Sequence, residues 1–113
     1  MEKGSNMISL FRRNRDFDPN YSNKKGQSYL HFFAFDGDLS GISVLSAAGA
    51  DPNKQDLHGM TPLHYAVLNG QRTAILELIR VGARKDIKDN EGDYPADIAR
   101  KKQRDDLREI LTP

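Results

Sequence analysis

The apolar residues in the middle of the chain fall into two short stripes at helical spacing. Thr61 is a hydroxyl residue suited to a helix N-cap, and Pro62 follows where a missing N–H costs nothing. This helix is expected to end at Gly70, since glycine accepts a left-handed backbone. A second helix is predicted over residues 72–81, closed by Gly82. The residues predicted to be buried are Leu63, Ala66 and Val67 in the first helix and Ile75, Leu76, Leu78 and Ile79 in the second.

A polar stretch without periodicity follows from Ala83 to Glu91, and we expect it to form a turn or extended loop that ends at Gly92. The same order of elements recurs along the chain at a step of 33 residues. Two helices this short cannot bury their apolar faces alone, so they need similar neighbours stacked against them. The chain is therefore predicted to be a tandem array. Matching positions include Gly26, Gly59 and Gly92, Leu30 and Leu63, His31 and His64, Gly37 and Gly70, and Gly49 and Gly82.

The 33-residue period and the sequence TPLHYA at 61–66 resemble ankyrin repeats. GADPN at 49–53 is similar to the start of that family's loop. The resemblance implies an all-α fold, an ankyrin-repeat solenoid of stacked helix-turn-helix units with β-hairpin-like finger loops. It also implies protein–protein recognition without catalysis.

The repeat frame divides the chain into five parts. The ends are weaker than the middle, and Met7, Leu10 and Phe11 are interpreted as the apolar face of a partial first unit. The expected parts are a flexible leader at 1–6, a partial N-terminal capping repeat at 7–25, ankyrin repeat 1 at 26–58, ankyrin repeat 2 at 59–91 and a truncated C-terminal capping repeat at 92–113.

Repeat 1 departs from the pattern of repeat 2 at one packing position. Phe33 stands where repeat 2 has Ala66, and a large side chain there risks overpacking. The second helix of repeat 1 has lost bulk, with Gly41, Ser43 and Ser46 in place of larger residues. We therefore expect this loss of bulk to make room for the Phe33 ring.

Composition narrows the class of protein. The chain has 113 residues, a net charge of +1 and no cysteine, which excludes disulfides, thiolate catalysis and cysteine-bound zinc. No apolar run approaches the roughly 18 residues needed to span a bilayer, and the N-terminus lacks the pattern of a secretory signal. The chain is expected to be cytoplasmic or nuclear, without membrane contact, and monomeric when unbound.

Catalytic and metal-binding interpretations receive little support. His31 and His64 occupy the same repeat position, where the family's histidine braces neighbouring loops by hydrogen bonds. The acidic segments at 36–38 and 51–53 lack the ligand spacing of a calcium loop. Phosphate-binding glycine motifs and nucleophile motifs are absent. We therefore expect no enzyme activity, no cofactor and no metal.

The partner is expected to bind the finger loops and the inner face of the first helices. Four positions that are normally exposed in this family are apolar here, namely Phe35, Leu57, Met60 and Leu68, and they are predicted to form a continuous stripe. The alternative is that Phe35 and Leu68 pack between helices. The predicted partner-binding residues are Lys24, Lys25, Gln27, Phe35, Asp36, Leu57, His58, Met60, Leu68, Asn69, Asn90, Glu91 and Asp93.

Several functions stay open at this level. The chain is interpreted as an adaptor or masking subunit for another protein, with an inhibitor that occludes an enzyme or toxin as the alternative. A nucleic-acid-associated factor is the alternative of another class, since Arg12, Arg13, Arg15, Lys24 and Lys25 form a basic N-terminal cluster. The near-balanced charge makes nucleic acid the less favoured partner. Asn53 occupies the loop position that oxygen-dependent hydroxylases modify in some ankyrin proteins.

Overall fold

The computed structural model describes residues 17–113, which form three helix pairs connected by loops. The predicted leader at 1–6, the apolar face formed by Met7, Leu10 and Phe11, and the arginines at 12, 13 and 15 lie outside the described residues. The six helices are α1 Tyr29–Asp36, α2 Leu39–Ala47, α3 Pro62–Leu68, α4 Arg72–Arg80, α5 Pro95–Lys101 and α6 Asp105–Leu111. The 33-residue step of the sequence thus reappears as a repeated structure.

The first helix of each pair starts 33 residues after its counterpart, at Tyr29, Pro62 and Pro95. The side chains of Ser28 and Thr61 cap α1 and α3, as predicted for Thr61. The left-handed backbone expected at Gly70 is present, with φ of 62°. Within residues 17–113 the finger loops contain a single isolated antiparallel bridge, between Ser22 and Ser28, and no extended strand.

The first helices form one layer, in which α1 packs against α3 and α3 against α5. The second helices lie behind them, with α2 against α4. The core runs through the array between the two layers and stabilises the stack by burying apolar surface. Its fully buried members include Leu30, Ile42, Leu45, Leu63, Val67, Ile75, Leu78, Leu107 and Leu111.

The prediction that Leu76 is buried is wrong, because 45% of this residue is exposed. Ile75 and Leu78 are fully buried and define the inner side of α4. Each residue advances about 100° around a helix, so Leu76 lies well away from the direction midway between those two side chains. The buried face of α4 is therefore narrower than the number of apolar residues in this helix indicates.

Candidate protein-binding surface

Each finger loop is built around one polar side chain. Asn23, Asp56 and Asp89 lie 33 residues apart, three positions before the glycines at 26, 59 and 92. The Oδ1 atom of each accepts the main-chain N–H groups two and four residues later, at 2.9 to 3.0 Å. These residues were not identified from the sequence, although their repeated position before a glycine is the signal that marks them.

Neighbouring fingers are joined by their main chains. The N–H of Leu57 donates to the carbonyl of Lys25, and the N–H of Asn90 donates to the carbonyl of His58, both at 2.9 Å. The Asn90 side-chain Nδ2 also donates to the Leu57 carbonyl at 2.8 Å. The three fingertips therefore form one connected row.

The buried histidines brace adjacent repeats, as expected. The Nδ1 atom of His31 accepts the N–H of Ser28 at 3.0 Å, and its Nε2–H donates to the Met60 carbonyl at 2.8 Å. His64 repeats this arrangement with Thr61 at 3.1 Å and Asp93 at 3.0 Å. Burial lowers the pKa of both imidazoles. Both ring nitrogens of each histidine are therefore engaged in hydrogen bonds that connect parts of the fold.

Two asparagines make a second set of connections between repeats. The Nδ2 of Asn53 donates to the Gly82 carbonyl at 3.2 Å, and its Oδ1 accepts the N–H of Arg84 at 2.8 Å. Asn20 makes the equivalent pair of bonds one repeat earlier. The side-chain amide of Asn53 thus connects the loop of one repeat to the next repeat.

A polar network lies beneath the middle finger. The Tyr65 hydroxyl donates to Oδ2 of Asp56 at 2.5 Å and accepts from Nε2 of Gln27 at 2.9 Å. Burial together with the bond to Asp56 raises the pKa of Tyr65 to about 12. Burial alone would raise the pKa of Asp56, but bonds from Tyr65 and from two main-chain N–H groups lower it overall. Gln27, predicted as a partner contact, is half-buried, and its side chain bonds to Tyr65 of the next repeat.

The predicted apolar stripe divides into exposed and half-buried members. Leu57 is 65% exposed at the tip of the middle finger, and Phe35 is 40% exposed at the end of α1. Met60 and Leu68 are half-buried and pack against the core, so the expectation that they are exposed is only partly correct. They line a groove of about 250 Å³ with residues of the third finger and α5. Of the four residues, Leu57 and Phe35 are therefore exposed, whereas Met60 and Leu68 line a groove.

Comparison with protein families decides what this array is. A family model described as ankyrin repeats, in three copies, matches residues 2–105. The chain belongs to the ankyrin repeat family. Ankyrin repeats are protein–protein interaction modules, and the six helices within residues 17–113 agree with that fold. A comparison with curated proteins finds no match.

Polar residues surround this ankyrin groove. Asn69 donates from Nδ2 to the Phe35 carbonyl at 2.8 Å, which ties the ends of two first helices together. Lys101 and Asp93 pair across the groove at 2.6 Å between Nζ and Oδ2. The remaining predicted contact residues are exposed, namely Lys24, Lys25, Asp36, His58, Asn90 and Glu91.

The loops considered for calcium have structural roles in the ankyrin fold. Asp38 caps α2 by accepting the N–H of Gly41 at 2.9 Å, and Asp51 accepts the N–H of Asn53 at 2.8 Å. Across residues 17–113, the acidic and histidine side chains form no group suited to hold a metal ion. None of the helices in that part of the chain is long and apolar enough to cross a membrane.

Proposed function

We propose that this ankyrin protein is a noncatalytic adaptor or masking subunit that binds a partner protein through its finger loops and inner-helix face. One observation carries the proposal, namely the exposed Leu57 at the tip of the middle finger. An exposed leucine gives a partner an apolar contact that excludes water, and the groove lined by Met60 and Leu68 offers a second contact on the same array. Unbound, the chain is proposed to be a monomer of the cytoplasm or nucleus.

A test by capture compares the wild type with Leu57→Asp. Leu57 is exposed, so the change alters the surface without opening the core. Leu76→Asp is the matched control because Leu76 is a 45% exposed leucine that lies in α4, a second helix, and not on a fingertip. Each protein is immobilised, exposed to lysate of the source organism and analysed by mass spectrometry, after circular dichroism has verified folding.

We expect a protein that is retained by the wild type and by Leu76→Asp, and is lost from Leu57→Asp. Retention by all three proteins would place binding away from this surface. Inhibition of the captured protein's own activity would identify the chain as an occluding inhibitor rather than an adaptor.

The nucleic-acid alternative predicts a different dependence on salt. Binding to phosphates releases counterions, so the logarithm of affinity would fall steeply and linearly with the logarithm of salt concentration. A contact centred on Leu57 is expected to tolerate salt, since apolar burial is not screened. Recovery of nucleic acid alone, lost at high salt, would favour the alternative.

A further inference from the structure

The charge of the exposed fingertip residues changes from one finger to the next. Equivalent positions of the three fingers carry Lys24, Leu57 and Asn90 in one series. The adjacent series consists of Lys25, His58 and Glu91. All six residues are exposed, so the row passes from a basic finger through an apolar one to an acidic one. The main-chain bonds between fingers hold this order in a fixed register.

The charges at the ends of the first helices change in the opposite order. The last positions of the first helices and their caps form the series Asp36, Asn69 and Lys102, which changes from acidic to basic. At the third repeat Lys101 pairs with Asp93 of the third finger. The two series of charges oppose each other, so a single charge order acts on a partner segment that lies on the fingertips and away from the helix ends.

This arrangement favours selection by charge order over attraction by net charge. A segment with a single sign of charge meets attraction at one end of the fingertip row and repulsion at the other. A segment with acidic residues at the first finger and basic residues at the third finger meets opposite charges along the fingertip row. The reversed order places like charges together, which disfavours it.

We propose that the fingertip row, defined as residues 24–25, 57–58 and 90–91, binds a partner segment in which acidic, apolar and basic residues follow one another. The acidic residues lie against Lys24 and Lys25, the apolar residue against Leu57, and the basic residues against Glu91. This inference rests on the proposed function and adds the chemistry of the partner to it.

The test uses short random peptides displayed on phage and selected on the immobilised wild-type chain. The charge-reversed variant Lys24→Glu/Lys25→Glu/Glu91→Lys changes only exposed side chains and is the comparison. We expect the selected peptides to carry acidic and basic residues on opposite sides of an apolar centre. They should bind the reversed variant about tenfold more weakly, the loss expected when several exposed charge pairs become like-charge contacts.

A second experiment exchanges the acidic and basic residues of the selected peptides. Selected peptides with their acidic and basic residues exchanged should prefer the reversed variant, whereas peptides of the same composition in scrambled order should bind neither protein well. This reciprocal preference would support the proposed order directly, because only the sign of each contact changes.

Other results would overturn the inference in distinguishable ways. Peptides that require Leu57 but bind the wild type and the reversed variant equally would refute the charge order and leave the proposed function intact. Failure to select any peptide sensitive to Leu57→Asp would refute the proposed function at this surface as well. A dimer that Leu57→Asp dissolves, seen by analytical ultracentrifugation, would make a second copy the occupant and overturn the proposed partner.

Discussion

At the scale of single residues, one backbone position of the repeat requires a left-handed conformation. Gly37 and Gly70 occupy it in the first two repeats, with φ of 73° and 62°. Gln103 occupies it in the third, with φ of 59°, and is the only described residue other than glycine with a positive φ. A side chain in this region brings Cβ close to the backbone, which costs about 1 kcal/mol.

Gln103→Gly is expected to stabilise the protein by about 1 kcal/mol, because glycine adopts this conformation without the Cβ clash. The free energy of unfolding from urea denaturation measures the effect. Lys102→Gly is the matched control, since Lys102 is also exposed but has a φ of −90°. An equal gain in both variants would contradict the proposed strain at Gln103.

At the scale of elements, the fit between α1 and α2 depends on a missing side chain. A Cβ built on Gly41 would lie 2.6 Å from Cγ of Phe33, closer than real atoms approach. The expectation that lost bulk makes room for Phe33 is confirmed at Gly41. Ser43 is exposed, so its small side chain does not make room for the Phe33 ring as Gly41 does. Repeat 2 solves the same packing problem with the small pair Ala66 and Ala74, both fully buried.

Gly41→Ala is expected to destabilise the protein by about 1–2 kcal/mol, because overpacking against the Phe33 ring outweighs the gain in helix propensity. In a Phe33→Ala background the same change is expected to stabilise by about 0.5–1 kcal/mol, since only the propensity effect remains. This double variant recreates the alanine pair of repeat 2.

Urea unfolding of the four proteins in this cycle gives the coupling energy between the two positions. Additive effects of the two changes would contradict direct contact between Phe33 and Gly41. Phe33→Ala alone is expected to lower the melting temperature, since it removes a partly buried ring from the core.

At the scale of the whole molecule, the repeats are joined by a small set of recurring connections. Buried histidines, loop asparagines and finger main chains each bond to the following repeat. In a linear array, stability depends on these interfaces between neighbours as well as on each repeat. A proton on Nδ1 of either histidine would point at the main-chain N–H from which that nitrogen now accepts a hydrogen bond. We therefore expect this coupling between repeats to depend on pH.

The melting temperature is therefore expected to be constant above about pH 7 and to fall as the pH decreases below about 6.5. The pKa values of His31 and His64 are lowered by burial, so the unfolded chain binds more protons in this range and folding loses stability. Asp56 also has a lowered pKa, but its contribution is lost only in more acidic solution. Melting temperatures measured between about pH 8 and pH 5 give this dependence, because that interval covers about the range in which histidine side chains titrate.

His64→Gln is expected to reduce this pH dependence, since its amide does not titrate, although the variant is less stable throughout. His58→Asn is the control, because it also removes one imidazole but from an exposed position on a fingertip. A dependence lost with His58 rather than with His64 would contradict the assignment to the buried braces.

Much of the fold could be predicted from the sequence because the repeat specifies it locally. The caps at Ser28 and Thr61 and the glycine at 70 act within one or two turns, and the 33-residue period repeats the same local rules. The candidate site was predicted less well. Side chains such as Gln27 and Asn69 bond to residues more than thirty positions away, and a single repeat contains no information about those partners.

The sequence by itself determined the period, the helix ends, the family and the fingers that carry exposed residues, since each depends on neighbouring residues or on spacing. The tertiary structure decided which apolar residues stay accessible. Leu57 and Leu76 are exposed while Met60 and Leu68 are half-buried, although all four are large and apolar. Accessibility depends on which neighbouring repeat covers a side chain, and that follows only from the stacking of the whole array.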